Sequence, residues 1–229
     1  AIHITMATQF DDIGKNASDL LSKGFPASGS FKVSASTKTP SGVSVDASAK
    51  RVYKGGNDSV ELTLEPKWSW SAHNVEFTGK LTTTDNYEGG VSVKNLGVDG
   101  TKLSATVIKN AGGSSIKVGS DFKNSSVAIK DSIVYPDDTA EKPIKITASG
   151  VVAYNDANIG AKVNYATGGK SDASLSWTAA LGYAQGTWEA SASLADATNA
   201  AASFWQKVTD HVSLAANFNV DLAADSPAS

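Results

Sequence analysis

The side chains able to do chemistry in this sequence are lysines and carboxylates at alternate positions of short segments. Lys32, Lys50, Lys117 and Lys162 sit on polar faces that also carry Asp46, Glu61, Glu65, Asp121 and Glu189. A lysine ammonium is a movable point charge, suited to weak and reversible contact with phosphate rather than to bond making. The groups that a catalyst needs are not brought together. Asp11-Asp12 and Asp137-Asp138 are carboxylate pairs, but each stands beside a helix start or in a turn, where aspartate serves the backbone. His73 and His211 fall at strand starts without a spaced partner, and His3 lies at the extreme N-terminus, so no metal triad assembles. Zero cysteines exclude disulfides, thiolate metal sites and a cysteine nucleophile. Neither a Gly-x-x-x-x-Gly-Lys-Ser/Thr loop nor Gly-x-Ser-x-Gly occurs. The sequence therefore predicts no enzyme and no cofactor.

The elements that must position these charges are strands. Fourteen segments alternate apolar and polar residues: 31–36, 43–50, 59–68, 74–82, 87–94, 102–108, 115–122, 126–135, 144–154, 159–165, 173–183, 187–194, 201–208 and 211–222. Turn residues separate them, among them Gly55-Gly56-Asn57-Asp58, Gly112-Gly113, Pro136-Asp137-Asp138, Asn155-Asp156 and Gly168-Gly169. Neighbouring strands then pair as antiparallel hairpins, which makes a meander. Ahead of them Phe10, Ile13, Ala17, Leu20 and Leu21 recur at helical spacing, predicting one amphipathic helix over Phe10–Leu21, with Gly24 as its stop. No second helix is available to cover its apolar stripe, so it must lie on the sheet.

With 41% hydrophobic and 19% charged residues, no run reaches the roughly 18 apolar residues of a spanning helix. The slightly negative mean hydropathy suits a soluble β-sandwich or a transmembrane barrel whose lumen face is polar. Strand length favours the barrel, because most segments approach the roughly 9–11 residues that cross a bilayer at a tilt. Tyr53, Trp68, Trp70, Tyr87, Tyr135, Tyr154, Tyr165, Tyr183 and Trp188 fall at or near strand ends, where aromatic girdles belong. A net charge of −3 with dispersed lysines offers no field for nucleic acid.

The segment Phe10-Asp-Asp-Ile-Gly-Lys-Asn-Ala-Ser-Asp-Leu-Leu-Ser-Lys-Gly-Phe25 resembles the N-terminal helix of the mitochondrial porins, the voltage-dependent anion channels. The resemblance continues through Thr37-Lys38, Gly42-Val43, Phe77-Thr78-Gly79-Lys80, Thr84-Asp85-Asn86, Gly100-Thr101-Lys102-Leu103 and Phe204-Trp205-Gln206-Lys207-Val208. It implies an all-β, antiparallel meander barrel in the mitochondrial outer membrane, with the helix in the lumen. It also implies a passive pore for ATP, ADP and small anions. On the family pattern Ile13 anchors the helix to the wall, with Phe10 and Ala17 on the same apolar stripe, and Lys15, Lys23 and Lys102 meet anions in the lumen; Lys32, on a polar strand face, is expected to join them. Lys102 stands in a segment like the family's Gly-Leu-Lys nucleotide motif, with Thr101 replacing the leucine. Ser18 replaces the arginine of animal channels, and Gly79 stands where some members carry a lipid-facing glutamate.

The domain organisation expected is a non-native leader at 1–5, ahead of the sole methionine Met6, a helix and hinge at 6–26, and a barrel at 27–229. The family barrel has about 19 strands, so fourteen predict either a partial chain with an unpaired strand edge or a smaller closed barrel. A translocase pore and a structural subunit of a larger mitochondrial complex share the fold and stand as alternatives. Assembly into a homo-oligomer stays open, while membrane lipid is an expected partner.

Overall fold

In the computed structural model the described residues are 7–23, 32–54, 57–170 and 172–222. They form one sheet of fourteen antiparallel strands in sequence order. The strands are β1 (Lys32–Lys38), β2 (Val43–Lys54), β3 (Asn57–Trp70), β4 (Val75–Thr82), β5 (Tyr87–Lys94), β6 (Thr101–Asn110) and β7 (Gly113–Lys123). They continue as β8 (Val127–Pro136), β9 (Ile144–Tyr154), β10 (Ala157–Thr167), β11 (Ser174–Gln185), β12 (Trp188–Ala195), β13 (Asn199–Lys207) and β14 (Ser213–Asp221). Each strand bonds its sequence neighbours, and the described ladders include none between β1 and β14. The expected meander and strand number are thus observed. Bounds differ locally: Asn57 and Asp58, read from sequence as turn residues, open β3, and His73 lies in a 3-10 turn at Ser71–His73 with its ring 4.0 Å from Trp70. His211 precedes β14, which starts at Ser213.

The register separates the two faces of the sheet. Residues paired across a ladder point to the same side, so one face can be followed through Lys102, Asp121, Lys130, Ser149, Lys162 and Thr178 from β6 to β11. The other face runs through Leu103, Ser120, Asp131, Ala148, Val163 and Trp177 along the same strands. Elsewhere this second face carries Leu62, Leu64, Phe77, Val91, Val107, Val118, Ile159 and Leu181, all left exposed by the chain itself. Such an apolar surface is stable only against hydrocarbon. Aromatic rings gather toward the two ends of this face. Trp68 stacks on Phe77 at 5.1 Å and Trp188 on Phe204 at 6.3 Å near one rim, while Tyr87, Tyr135 and Tyr165 mark the other. No described helix is long and apolar enough to cross a membrane, so the strands make the crossing.

The N-terminal segment departs from one continuous helix. A 3-10 turn, Phe10–Asp12, is followed by the α-helix α1, Lys15–Lys23. Between them Gly14 adopts φ +73°, a left-handed conformation that α-helical periodicity cannot include. Gly24 lies outside the described residues.

A lysine placed on either face tests the assignment. Ala105→Lys, at the centre of the outer face of β6, is expected to lower stability in lipid vesicles by about 2–4 kcal/mol. Ser104→Lys, one residue away on the polar face, is expected to cost below about 1 kcal/mol. Urea titration of the two variants provides the comparison, and equal losses would refute the face assignment.

Candidate functional site

The polar face of the sheet holds the N-terminal segment. Its path starts at Ala7, whose N–H donates to Ser125 O at 3.0 Å, and at Thr8, whose N–H donates to Asn158 Oδ1 at 3.2 Å. Ala7, Ala128 and Val151 form the small closed core, with Phe10, Ile13 and Ala153 packed on it. Phe10 lies over Gly160 and Ile13 over Gly182. A Cβ built on Gly160 would come within 3.0 Å of the Phe10 ring, and one on Gly182 within 3.0 Å of Ile13 Cγ2. These two bare backbone patches are the seats of the apolar side chains. Gly14 lies against Ser191 and Ser203, whose hydroxyls bond each other at 2.7 Å; a Cβ at Gly14 would stand 2.5 Å from Ser191 Oγ. Beyond this point α1 runs over β13 and β14, where Ala17 is 1% exposed. Leu21 of the sequence stripe remains 42% exposed.

Two polar contacts complete the seat. Lys162 Nζ donates to Asp11 Oδ1 at 2.7 Å, and Asn16 Nδ2 to Glu189 Oε2 at 2.7 Å. The Lys162 side chain is 27% exposed and that of Asp11 54%, so the ion pair orients the segment more than it stabilises it. Neither contact was visible in the sequence, because each joins residues more than a hundred positions apart. A cleft of about 320 Å³ opens between the segment and the wall, lined by Asp12, Lys15, Asn158 and Glu189 among others.

The rest of the polar face is a lysine-rich wall. By register it carries Lys38, Lys50, Lys67, Lys80, Lys94, Lys102, Lys117, Lys123, Lys130, Lys145, Lys162 and Lys207. Against them stand Asp46, Glu61, Glu65, Glu76, Glu88, Asp121, Glu189 and Asp221. Positive charge therefore exceeds negative on this face although the chain as a whole is at −3. Many remaining aspartates, including Asp85, Asp99, Asp137, Asp138, Asp156 and Asp196, sit in the turns between strands. At the rim that carries Trp68, Glu76 lies 2.9 Å from Lys67 and 3.8 Å from Lys94, with Lys102 on the adjoining strand. Asp121 is flanked across the ladders by Lys102 and Lys130. Among the described residues Lys102, Lys117, Lys123 and Lys130 form no ion pair.

The sequence candidates thus separate. Lys102 is on the lysine wall, whereas Lys15 is on the helix with its Nζ 2.5 Å from Asp19 Oδ2. Lys32 occupies a polar-face register position opposite Lys50, and Lys23 ends α1; the side chains of both lie outside the described residues. Lys67, Lys94, Lys123 and Lys130 were not singled out in the sequence, although strict alternation within their strands would have found them. No cluster of potential metal ligands occurs among the described residues.

The family model of the eukaryotic porins matches residues 7–228. The chain belongs to the eukaryotic porin family. Among its relatives is the non-selective voltage-gated ion channel VDAC2 of Xenopus laevis, 28% identical over 91% of this chain and 71% of the relative. The human VDAC2 is 27% identical over 91% and 68%, and the VDAC1 of Sus scrofa 25% over 91% and 71%. Among solved structures, a triple mutant of the Rhodopseudomonas blastica porin superposes with a TM-score of 0.59 at 12% identity, covering 85% of each chain. That likeness concerns the fold, a membrane-spanning β-barrel porin.

The seat of the helix can be locked. The Cβ of Ile13 lies 3.9 Å from the Cβ position of Gly182, within the range of about 3.5–4.5 Å that a disulfide spans. The double variant Ile13→Cys, Gly182→Cys is expected to cross-link under mild oxidation, as read by intact mass and gel mobility, since the chain has no other cysteine. Failure to cross-link in the membrane-inserted protein would show that the segment leaves the wall.

Proposed function

We propose that this porin is a voltage-gated diffusion channel of the mitochondrial outer membrane through which small anions, ATP and ADP pass. The observation that carries the reading is the excess of lysine on the polar face of an otherwise acidic chain. An aqueous channel walled by unpaired ammonium groups concentrates anions and speeds their entry without holding them tightly. Lys102 and Lys130 lie two strands apart, about 10 Å at the usual strand spacing, with Asp121 between them. A polyphosphate can pass from one ammonium to the next while the carboxylate keeps any one contact weak. Lys94, paired with Lys102 across the ladder, and Lys67 on the other side of Glu76 continue this track onto β5 and β3. Phe10, Ile13 and Ala17 act in this reading as the anchor of the helix. Lys15 and Lys23 add lumen charge, Lys15 the lesser share because Asp19 screens it. That the relatives are voltage-gated ion channels favours a channel over a translocase pore or a structural subunit.

Reversal potentials in planar bilayers under a salt gradient test the reading. The triple variant Lys102→Glu, Lys117→Glu, Lys130→Glu is expected to lower the anion-to-cation permeability ratio several-fold, and Lys15→Glu to change it less. An unaltered reversal potential in the triple variant would mean that these lysines are only solvated surface charge.

A further inference from the structure

A carboxylate interrupts the apolar outer face at mid-span. Asp131 stands midway along β8, paired in register with Ser120 of β7 and Ala148 of β9. Its outer-face neighbours on β8 are Ile129 and Ile133, each 47% exposed. Tyr135, at the aromatic rim, is four residues away, about 13 Å at about 3.3 Å per residue. Asp131 is therefore held at a depth that lipid headgroups do not reach. Among the described residues its hydrogen bonds come from Ser120: the Ser120 N–H donates to Oδ1 at 3.1 Å and the Ser120 hydroxyl to Oδ2 at 2.8 Å. Lys130 and Asp121, adjacent in sequence to this pair, occupy the opposite, lumen face. Among the described residues no cation pairs with Asp131. An ionisable group so placed is costly in hydrocarbon and calls for a partner.

We propose that Asp131 and Ser120 form a recognition point for a membrane-spanning helix of another protein that carries a basic side chain near mid-span. Depth selects this occupant, because only a protein segment brings a cationic donor to the centre of the bilayer. A second copy related by a two-fold axis along the membrane normal brings a like carboxylate to the same depth, which opposes the contact. The surface beside Asp131 is low: Ala148, Gly150 and Ala161 occupy adjoining outer positions, and no atom lies within 4 Å of a Cβ built on Gly150. A helix backbone can approach there closely enough for a lysine stem to reach the carboxylate. The inference rests on the outer face lying in the bilayer and is independent of which ions cross the lumen.

The test uses the full chain in phosphatidylcholine vesicles, with energy transfer to synthetic polyleucine helices bearing one central Lys or, in the control, Leu. The Lys helix is expected to bind at least tenfold more tightly. Asp131→Asn should remove most of that preference, Asp131→Glu should retain it, and Ser120→Ala should weaken it several-fold. Unchanged bilayer conductance of Asp131→Asn would show that the pore is intact; should that variant fail to insert, the Lys and Leu helices on the unaltered chain still decide. Equal binding of the two helices overturns the proposal, as does a preference that survives Asp131→Asn. Peptide-free self-association of the chain that Asp131→Asn abolishes also overturns it, by assigning the site to a second copy.

Discussion

Everything in this molecule depends on the register of its strand ladders. Side chains alternate with a period of two, so a slip of one residue in a ladder would exchange the two faces of a strand. In β6 that slip would turn Lys102 toward lipid and Leu103 toward water. Hydrocarbon on one side and water on the other penalise the wrong register at every position, which gives the membrane itself a part in specifying the fold. The same constraint builds the pore: lysines distributed along the whole chain become one basic wall only when all ladders hold.

The helix is seated by a local relaxation of that rule. Gly160 and Gly182 remove side chains from the lumen face where Phe10 and Ile13 press against it, and Gly14 lets the segment turn close above Ser191 and Ser203. At Gly79 the outer surface uses the same economy, since a Cβ there would meet the Pro66 ring at 2.9 Å. A bulky carboxylate in place of Gly79 would have to displace that ring. The outer face instead carries its mid-span carboxylate at Asp131, several strands away.

The alternation that built these faces was legible in the sequence, and with it the fourteen strands and their antiparallel order. The break in the helix was not, because Phe10, Ile13 and Ala17 keep helical spacing across Gly14. Nor was the positive lumen, because whole-chain charge adds the turn aspartates to the wall lysines, and only pairing partners separate the two groups. The contacts Lys162–Asp11 and Asn16–Glu189 depend on where the helix crosses the finished sheet, which no local pattern encodes. Lys102 came from the family resemblance, while its neighbours Lys67, Lys94 and Lys130 follow from register.

Site-by-site solvent accessibility along β9 and β10 tests the two-faced wall most directly. Single cysteines, introduced in turn into the membrane-inserted chain, are probed with a water-soluble thiol reagent and a lipid-phase quencher. The structure predicts lipid contact at the even positions of β9, such as Ile146 and Ala148, and at the odd positions of β10, such as Ala161 and Val163. The water-soluble reagent should reach the complementary sets. A pattern without period two, or one that keeps the same parity in both strands, would contradict the account.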